Sequence, residues 1–195
     1  MDDVNAYNTG VHAVVQDAYY FLCLNYEIDI SETHLVGFSR GAFAARALAC
    51  LIEEVGLLKR SWLACLPMVY ELWMSEGAKL SSGQMSSEES KLRDHVKTWQ
   101  KKNHVIRPVT VSTCAVWDTV NSMRSGELDF VENIVPCHLK HAFHCLALHE
   151  ISDDFLPVLW NAPSKTNVRE CWFIGDYSDV GGGFADSTFA TLTLI

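Results

Sequence analysis

Val11, Val14, Val15, Ala18, Tyr19 and Leu22 recur at the three-and-four spacing of one helical face. Asn8-Thr9 just ahead can cap a first turn, so residues 10–25 are predicted to form an amphipathic helix. His34 to Phe38 is a short apolar run ending in glycine and serine, the pattern of a buried parallel strand. Ala42 to Val55 is rich in alanine and leucine, both strong helix formers, and Gly56 stands where a left-handed cap would stop a helix. Strand, tight turn and helix therefore follow one another without a linker.

Farther along, Trp62, Leu66, Val69, Tyr70 and Trp73 predict a helix over 62–74. Residues 75–90 hold six serines and two glycines with few apolar groups, which predicts a surface excursion. Lys91 to Lys102 predicts a polar helix. Pro108 to Val120 is β-branched and apolar on both alternations, as a strand covered on both faces must be, with Asp118 at its carboxyl end. A loop over 121–135 is predicted to lead into a helix over 136–150, with Leu139, Ala142, Phe143, Leu146 and Ala147 on one side. Cys171 to Ile174 predicts a third strand. Strands alternating with helices imply an α/β fold with a mostly parallel sheet, whose functional groups gather at the strands' carboxyl ends. Ser39, Asp118 and the 175–183 loop all fall there.

Composition narrows the classes. The 195 residues are 49% hydrophobic and 20% charged, which fits one globular domain large enough to bury a real core. With a net charge of −9 and no dense Lys/Arg run, nucleic acid is not an expected partner. Seven cysteines, an odd number without Cys-x-x-Cys spacing, read as buried free thiols. Neither a signal peptide nor a long apolar span is visible, so a cytoplasmic location is the default expectation. His138, His141 and His144 stand three apart on the predicted helix. No glutamate is placed as in His-Glu-x-x-His and no second ligand cluster accompanies them, so packed histidines are the reading and no metal or cofactor is expected.

The chemistry centres on Gly37-Phe38-Ser39-Arg40-Gly41. A serine between two glycines, after a strand and before a helix, can occupy a strained turn that lifts its hydroxyl into solvent, and both glycines are expected where a side chain would collide. The Arg40 N–H at the helix start is placed to stabilise an oxyanion. Such a serine needs a base and an acid that orients it. Two aspartates follow strands: Asp118 in Val116-Trp117-Asp118-Thr119-Val120, and Asp179 in the glycine-rich 175–183 loop. The acid usually follows a late strand, which favours Asp179. None of the eight histidines lies beyond His149, so the usual Ser, Asp, His chain order is broken.

Four motifs, in order, resemble a known family: Gly37 to Arg46; Val116 to Val120; His141 to Glu150 followed by Phe155 to Trp160; and Trp172 to Gly175 with Ser178 to Gly183. Together they resemble the type VI secretion phospholipase effector-like catalytic domain over nearly the whole chain. The resemblance implies an α/β-hydrolase fold and a Ser-Asp-His triad acting on lipid esters. It maps the nucleophile onto Ser39 and the acid onto Asp179, with Asp118 in a matching motif of unfixed role. It also implies an Asp-Gly-Thr strand ahead of Tyr7 and further strand and helix after Ile195, so a partial α/β-hydrolase-type domain over 1–195 is expected. Where the family has a histidine before Ser-Asp-Val-Gly-Gly, this chain has Tyr177, whose phenol is a poor base at neutral pH. The chain by itself is therefore expected not to complete a triad. The alternative to a lipid or ester hydrolase is an inactive remnant serving as an interaction module. Loss of neighbouring strands would also leave the Val109–Trp117 strand with an open edge, through which self-association is expected.

Overall fold

In a computed structural model, which describes residues 2–120, 128–131, 133–153, 155–161 and 167–194, helix α1 (Asp2–Asn25) precedes strand β1 (Thr33–Phe38) and helix α2 (Arg40–Val55). A short strand β2 (Leu57–Leu58), a 3₁₀ turn (Arg60–Cys65) and helices α3 (Leu66–Ser81) and α4 (Lys91–Lys101) lead to β3 (Val105–Ile106). The chain then gives β4 (Val111–Trp117), β5 (Leu139–Ala147), β6 (Asn167–Phe173) and the short helices α5 (Tyr177–Gly181) and α6 (Thr188–Leu192). The main sheet has the order β1-β4-β5-β6, parallel throughout, while β2 and β3 form a small antiparallel pair. The α/β arrangement expected from the sequence is thus observed.

Each step across the main sheet goes in the same direction, so right-handed crossovers put the connections on one face. Leu35, Cys114, Val116, Ala142, His144 and Leu146 point to that face and are buried. Their neighbours Val36, Ala115, Trp117, Phe143 and Cys145 point to the other and stay exposed or half-buried. The far end of that second face is touched by Thr193, whose hydroxyl accepts from the Trp117 indole at 2.8 Å. Helix α2 fills the covered face: Ala42, Phe43, Ala47, Leu48, Leu51, Ile52 and Val55 are all buried. Its small alanines let the backbone lie close to β1 and β4, which sets the start of α2 against the carboxyl ends of those strands.

Several elements differ from expectation. Residues 139–147 form a strand and not a helix; the sequence Leu-Lys-His-Ala-Phe-His-Cys-Leu-Ala holds helix formers and no β-branched residue, but its slot between β4 and β6 overrides local preference. His141 and His144 consequently face opposite sides of the sheet, and His138 lies before the strand, its Nδ1 2.6 Å from Glu53 Oε2. Helix α1 runs through Asn8-Thr9 without being capped there. Helix α3 continues to Ser81, so the surface excursion is shorter than 75–90. Strand β4 is flanked by β1 and β5, and among the described residues the edge strands of the sheet are β1 and β6 instead. Cys137 and Cys171 are exposed, unlike the buried Cys23, Cys50 and Cys114. The expected 121–135 loop falls largely outside the described residues. None of the described helices is long and apolar enough to cross a membrane.

Candidate active site

Ser39 follows β1 directly and caps α2 with φ 60° and ψ −123°, a conformation that an L-residue holds only under constraint. Its N–H extends the sheet ladder by donating to the Trp117 carbonyl at 2.9 Å, and its carbonyl accepts from the Phe43 N–H at 3.1 Å to begin the helix. The turn is thereby fixed from both sides. A Cβ at Gly37 would lie 2.3 Å from the Gly41 carbonyl oxygen, so the sharp return of the chain requires glycine there. At Gly41 a Cβ would meet nothing within 4 Å, contrary to the expectation that both glycines avoid collisions. Gly41 instead borders an open cavity of about 430 Å³ between α1 and the turn, lined also by Val11, Val14, Phe38, Ser39 and Tyr177. The N–H groups of Arg40, Gly41 and Ala42 stand ahead of the first donor of the helical ladder, directed toward the turn as at any helix start.

Asp118 ends β4, the strand beside β1, and is 1% exposed with a left-handed φ of 36°. Its N–H donates to the Cys145 carbonyl, and its Oδ1 accepts from the Ala147 N–H at 2.7 Å. Its Oδ2 is buried with no hydrogen-bond partner among the described residues. Burial pushes the carboxyl pKa up to about 6, opposed by the Ala147 N–H and reinforced by the nearby charges of Glu150 and Asp176. Burial and a raised pKa, at the end of the strand next to the serine, set Asp118 apart from a solvated surface aspartate.

Asp179 spends its carboxylate locally. Its Oδ2 accepts from the Asp176 N–H at 3.1 Å, while Asp176 Oδ1 accepts from the N–H groups of Ser178 and Asp179, a reciprocal box that closes the first turn of α5. Helix α5 sits close over β1: a Cβ on Gly181 would fall 1.9 Å from the Phe38 ring. This brings Tyr177 to the serine's cavity, packed with tilted rings between Phe38 at 4.5 Å and Phe155 at 4.9 Å between ring centroids. The structure therefore gathers Ser39, Arg40 and Tyr177 at one cavity and sets Asp118 at the adjoining strand end. No histidine lines that cavity. His149 follows β5, is exposed, and accepts from the Gly175 N–H at 3.3 Å.

A larger cavity, about 670 Å³, lies elsewhere, lined by Cys50, Glu53, Glu54, Arg93 and Arg107 among others. Its Glu53 carboxylate holds the Cys137 thiol and His138, and these hydrogen bonds draw its pKa down to about 2 despite burial. The Cys137 thiol is correspondingly held protonated and is no activated nucleophile. Cavity size here does not coincide with reactive geometry.

A parallel sheet with its serine on a strained strand-to-helix turn, and a buried aspartate ending the next strand, defines an α/β protein of hydrolase-like arrangement. The family described as "T6SS, Phospholipase effector Tle1-like, catalytic domain" matches residues 4–195, and the chain belongs to that family. It is 31% identical over 160 residues to the Saccharomyces cerevisiae protein YEL023C, described as uncharacterized, covering 77% of this chain and 21% of that protein. The chain thus spans about a fifth of that relative's length. No solved structure matches significantly.

Arg46, His144 and Trp160 meet beneath the strand ends; from the sequence, His144 is read only as a metal ligand or a packed histidine, and Arg46 and Trp160 have no role of their own. Arg46 could have been noticed as a charge inside an otherwise apolar helix. His144 was hidden by the helical reading of residues 136–150, and nothing local marks Trp160.

Proposed function

We propose that this chain carries the nucleophile of a serine ester hydrolase, acting on carboxylic esters of lipids as the family assignment suggests. The observation that carries the reading is the constrained Ser39 conformation between β1 and α2. Ser39 Oγ attacks the acyl carbonyl, whose oxygen takes on negative charge beside the first amides of α2, the Arg40 N–H foremost. The Ser39 proton passes through a base to the leaving alkoxide, and water then cleaves the acyl-enzyme. Asp118 and Asp179 are the two candidates to orient that base. The free, buried Oδ2 of Asp118 supports giving it the role, because the Asp179 carboxylate is occupied in the α5 box.

A second reading, a non-catalytic interaction module, is favoured by one observation: Tyr177 and no imidazole borders the serine's cavity. Fluorophosphonate labelling and turnover of short-chain esters separate the two. Labelling at Ser39, abolished by Ser39→Ala, is the expected result. A folded chain with neither labelling nor turnover would instead establish the module.

A further inference from the structure

Beneath the strand ends lies a layer of buried polar side chains that the hydrolytic scheme does not use. Arg46, about two turns along α2 from Ser39, is 1% exposed. Its guanidinium donates to the Val158 carbonyl at 2.7 Å and the Leu159 carbonyl at 3.4 Å, and lies 4.7 Å from the Trp160 ring centroid. Trp160 packs edge-on against His144, with ring centroids 5.5 Å apart, and its backbone N–H donates to Glu170 Oε1 at 3.2 Å. His144 on β5 is itself 1% exposed.

These groups converge on one residue, Thr119. The Thr119 N–H donates to His144 Nε2 at 3.3 Å, and the Thr119 carbonyl accepts from the Val158 N–H at 2.7 Å. Thr119 immediately follows Asp118, whose left-handed backbone persists only where the surroundings over-determine it. An imidazole nitrogen that accepts a hydrogen bond carries no proton, so the ring proton belongs on Nδ1, which faces Glu170 Oε1 at 3.6 Å. Burial first, then the Arg46 charge, pushes the His144 pKa down to about 3, which keeps the ring neutral and Nε2 an acceptor. The charged groups against it are Arg46 from α2 and Glu170 from β6.

We propose that His144 is a positioning residue for Asp118: a neutral imidazole, protonated on Nδ1, whose Nε2 holds the Thr119 N–H and so fixes the turn that presents the Asp118 carboxyl. Arg46 supports the same turn from the other side through the Val158 carbonyl. Helix α2 thereby ties the serine at its start to the aspartate at the neighbouring strand end. The functional part of this inference rests on the role given to Asp118 above, whereas the structural part does not.

Nitrogen-15 NMR of the full chain with labelled histidine tests the tautomer directly. Nδ1 protonated and Nε2 unprotonated, unchanged from neutral pH to pH 5, is expected; Nε2 protonated, or an imidazolium in that range, overturns the proposal. Two variants test the positioning. His144→Leu removes the acceptor, and His144→Gln supplies a side-chain oxygen in its place. The Asp118 carboxyl, followed by carbon-13 NMR, is expected to move its titration midpoint by about one pH unit or more in the Leu variant and to return most of the way in the Gln variant. Ser39 labelling is expected to fall about tenfold with Leu and to recover with Gln. Equal behaviour of the two variants, with both folded, overturns the proposal. If the Leu variant does not fold, the tautomer of the unmodified chain still decides. If Ser39 does not label in any form, the hydrolase reading fails, while the tautomer and the Asp118 titration continue to decide the positioning role.

Discussion

Asp118→Asn isolates the electrostatic burden of the site. The substitution removes the ionisable group yet keeps Oδ1 for the Ala147 N–H, and asparagine tolerates the left-handed φ of 36° about as well as aspartate. Burial lifts the Asp118 pKa from 3.8 to about 6, so at neutral pH the fold holds an ionised carboxylate that the unfolded chain would solvate better. Each tenfold change in proton affinity is worth about 1.4 kcal/mol, so this burden approaches 3 kcal/mol at pH 7. Because the folded-state pKa is raised, the aspartate's favourable contribution is complete below pH 4 and disappears as pH rises through 6. The asparagine variant is therefore expected to match the unmodified chain at acid pH and to exceed it by about 3 kcal/mol at pH 7.5. Urea unfolding at closely spaced pH values, with slopes compared to verify two-state behaviour, measures the gap. A gap that does not change with pH, or an asparagine variant less stable at neutral pH, would refute the reasoning. The same variant is expected to lose Ser39 labelling, a trade of stability against function common at reactive sites.

Three further outcomes follow from the geometry. Gly37→Ala is expected to destabilise the fold by about 3 kcal/mol, because its Cβ would meet backbone that cannot yield, whereas Gly41→Ala, with open space around it in the first turn of α2, should gain up to about 1 kcal/mol by thermal unfolding. Glu76 is buried and accepts from the Ser90 hydroxyl and the Leu92 N–H at the start of α4, so Glu76→Ala should cost about 3 kcal/mol and Glu76→Gln, which keeps an acceptor, markedly less. Tyr177→His places an imidazole beside Ser39; ester turnover is expected to rise roughly a hundredfold over Tyr177→Phe, and equal rates in the two variants would show that this position does not reach the serine's proton.

Much of the site was legible because its signals are local. The serine turn needs a strand, a glycine where the chain doubles back, and a helix former directly after, and His34 through Ala49 supply all three within sixteen neighbouring residues. The cap at Gly56 and the polar helix at Lys91–Lys101 were legible for the same reason: each depends on residues within a turn or two. The resemblance read from four short motifs agrees with the family match over residues 4–195.

Tertiary structure decided the rest. Residues 139–147 read as a helix from their own composition and become a strand because β4 and β6 offer hydrogen bonds on both sides, which no local pattern encodes. Asp118 and Asp179 each follow a strand, and the sequence alone favoured Asp179. Only the fold buries one beside Ala147 and commits the other to a helix cap. Gly41, expected to relieve a collision, turns out to open a cavity because α1 stands back from it. Arg46 and Val158 are 112 positions apart, and His144 and Thr119 are 25 apart. A sequence fixes which backbone conformations are cheap over a few residues; which polar groups become buried, and therefore which must find partners or shift their protonation, depends on chain segments that meet only when the sheet has formed.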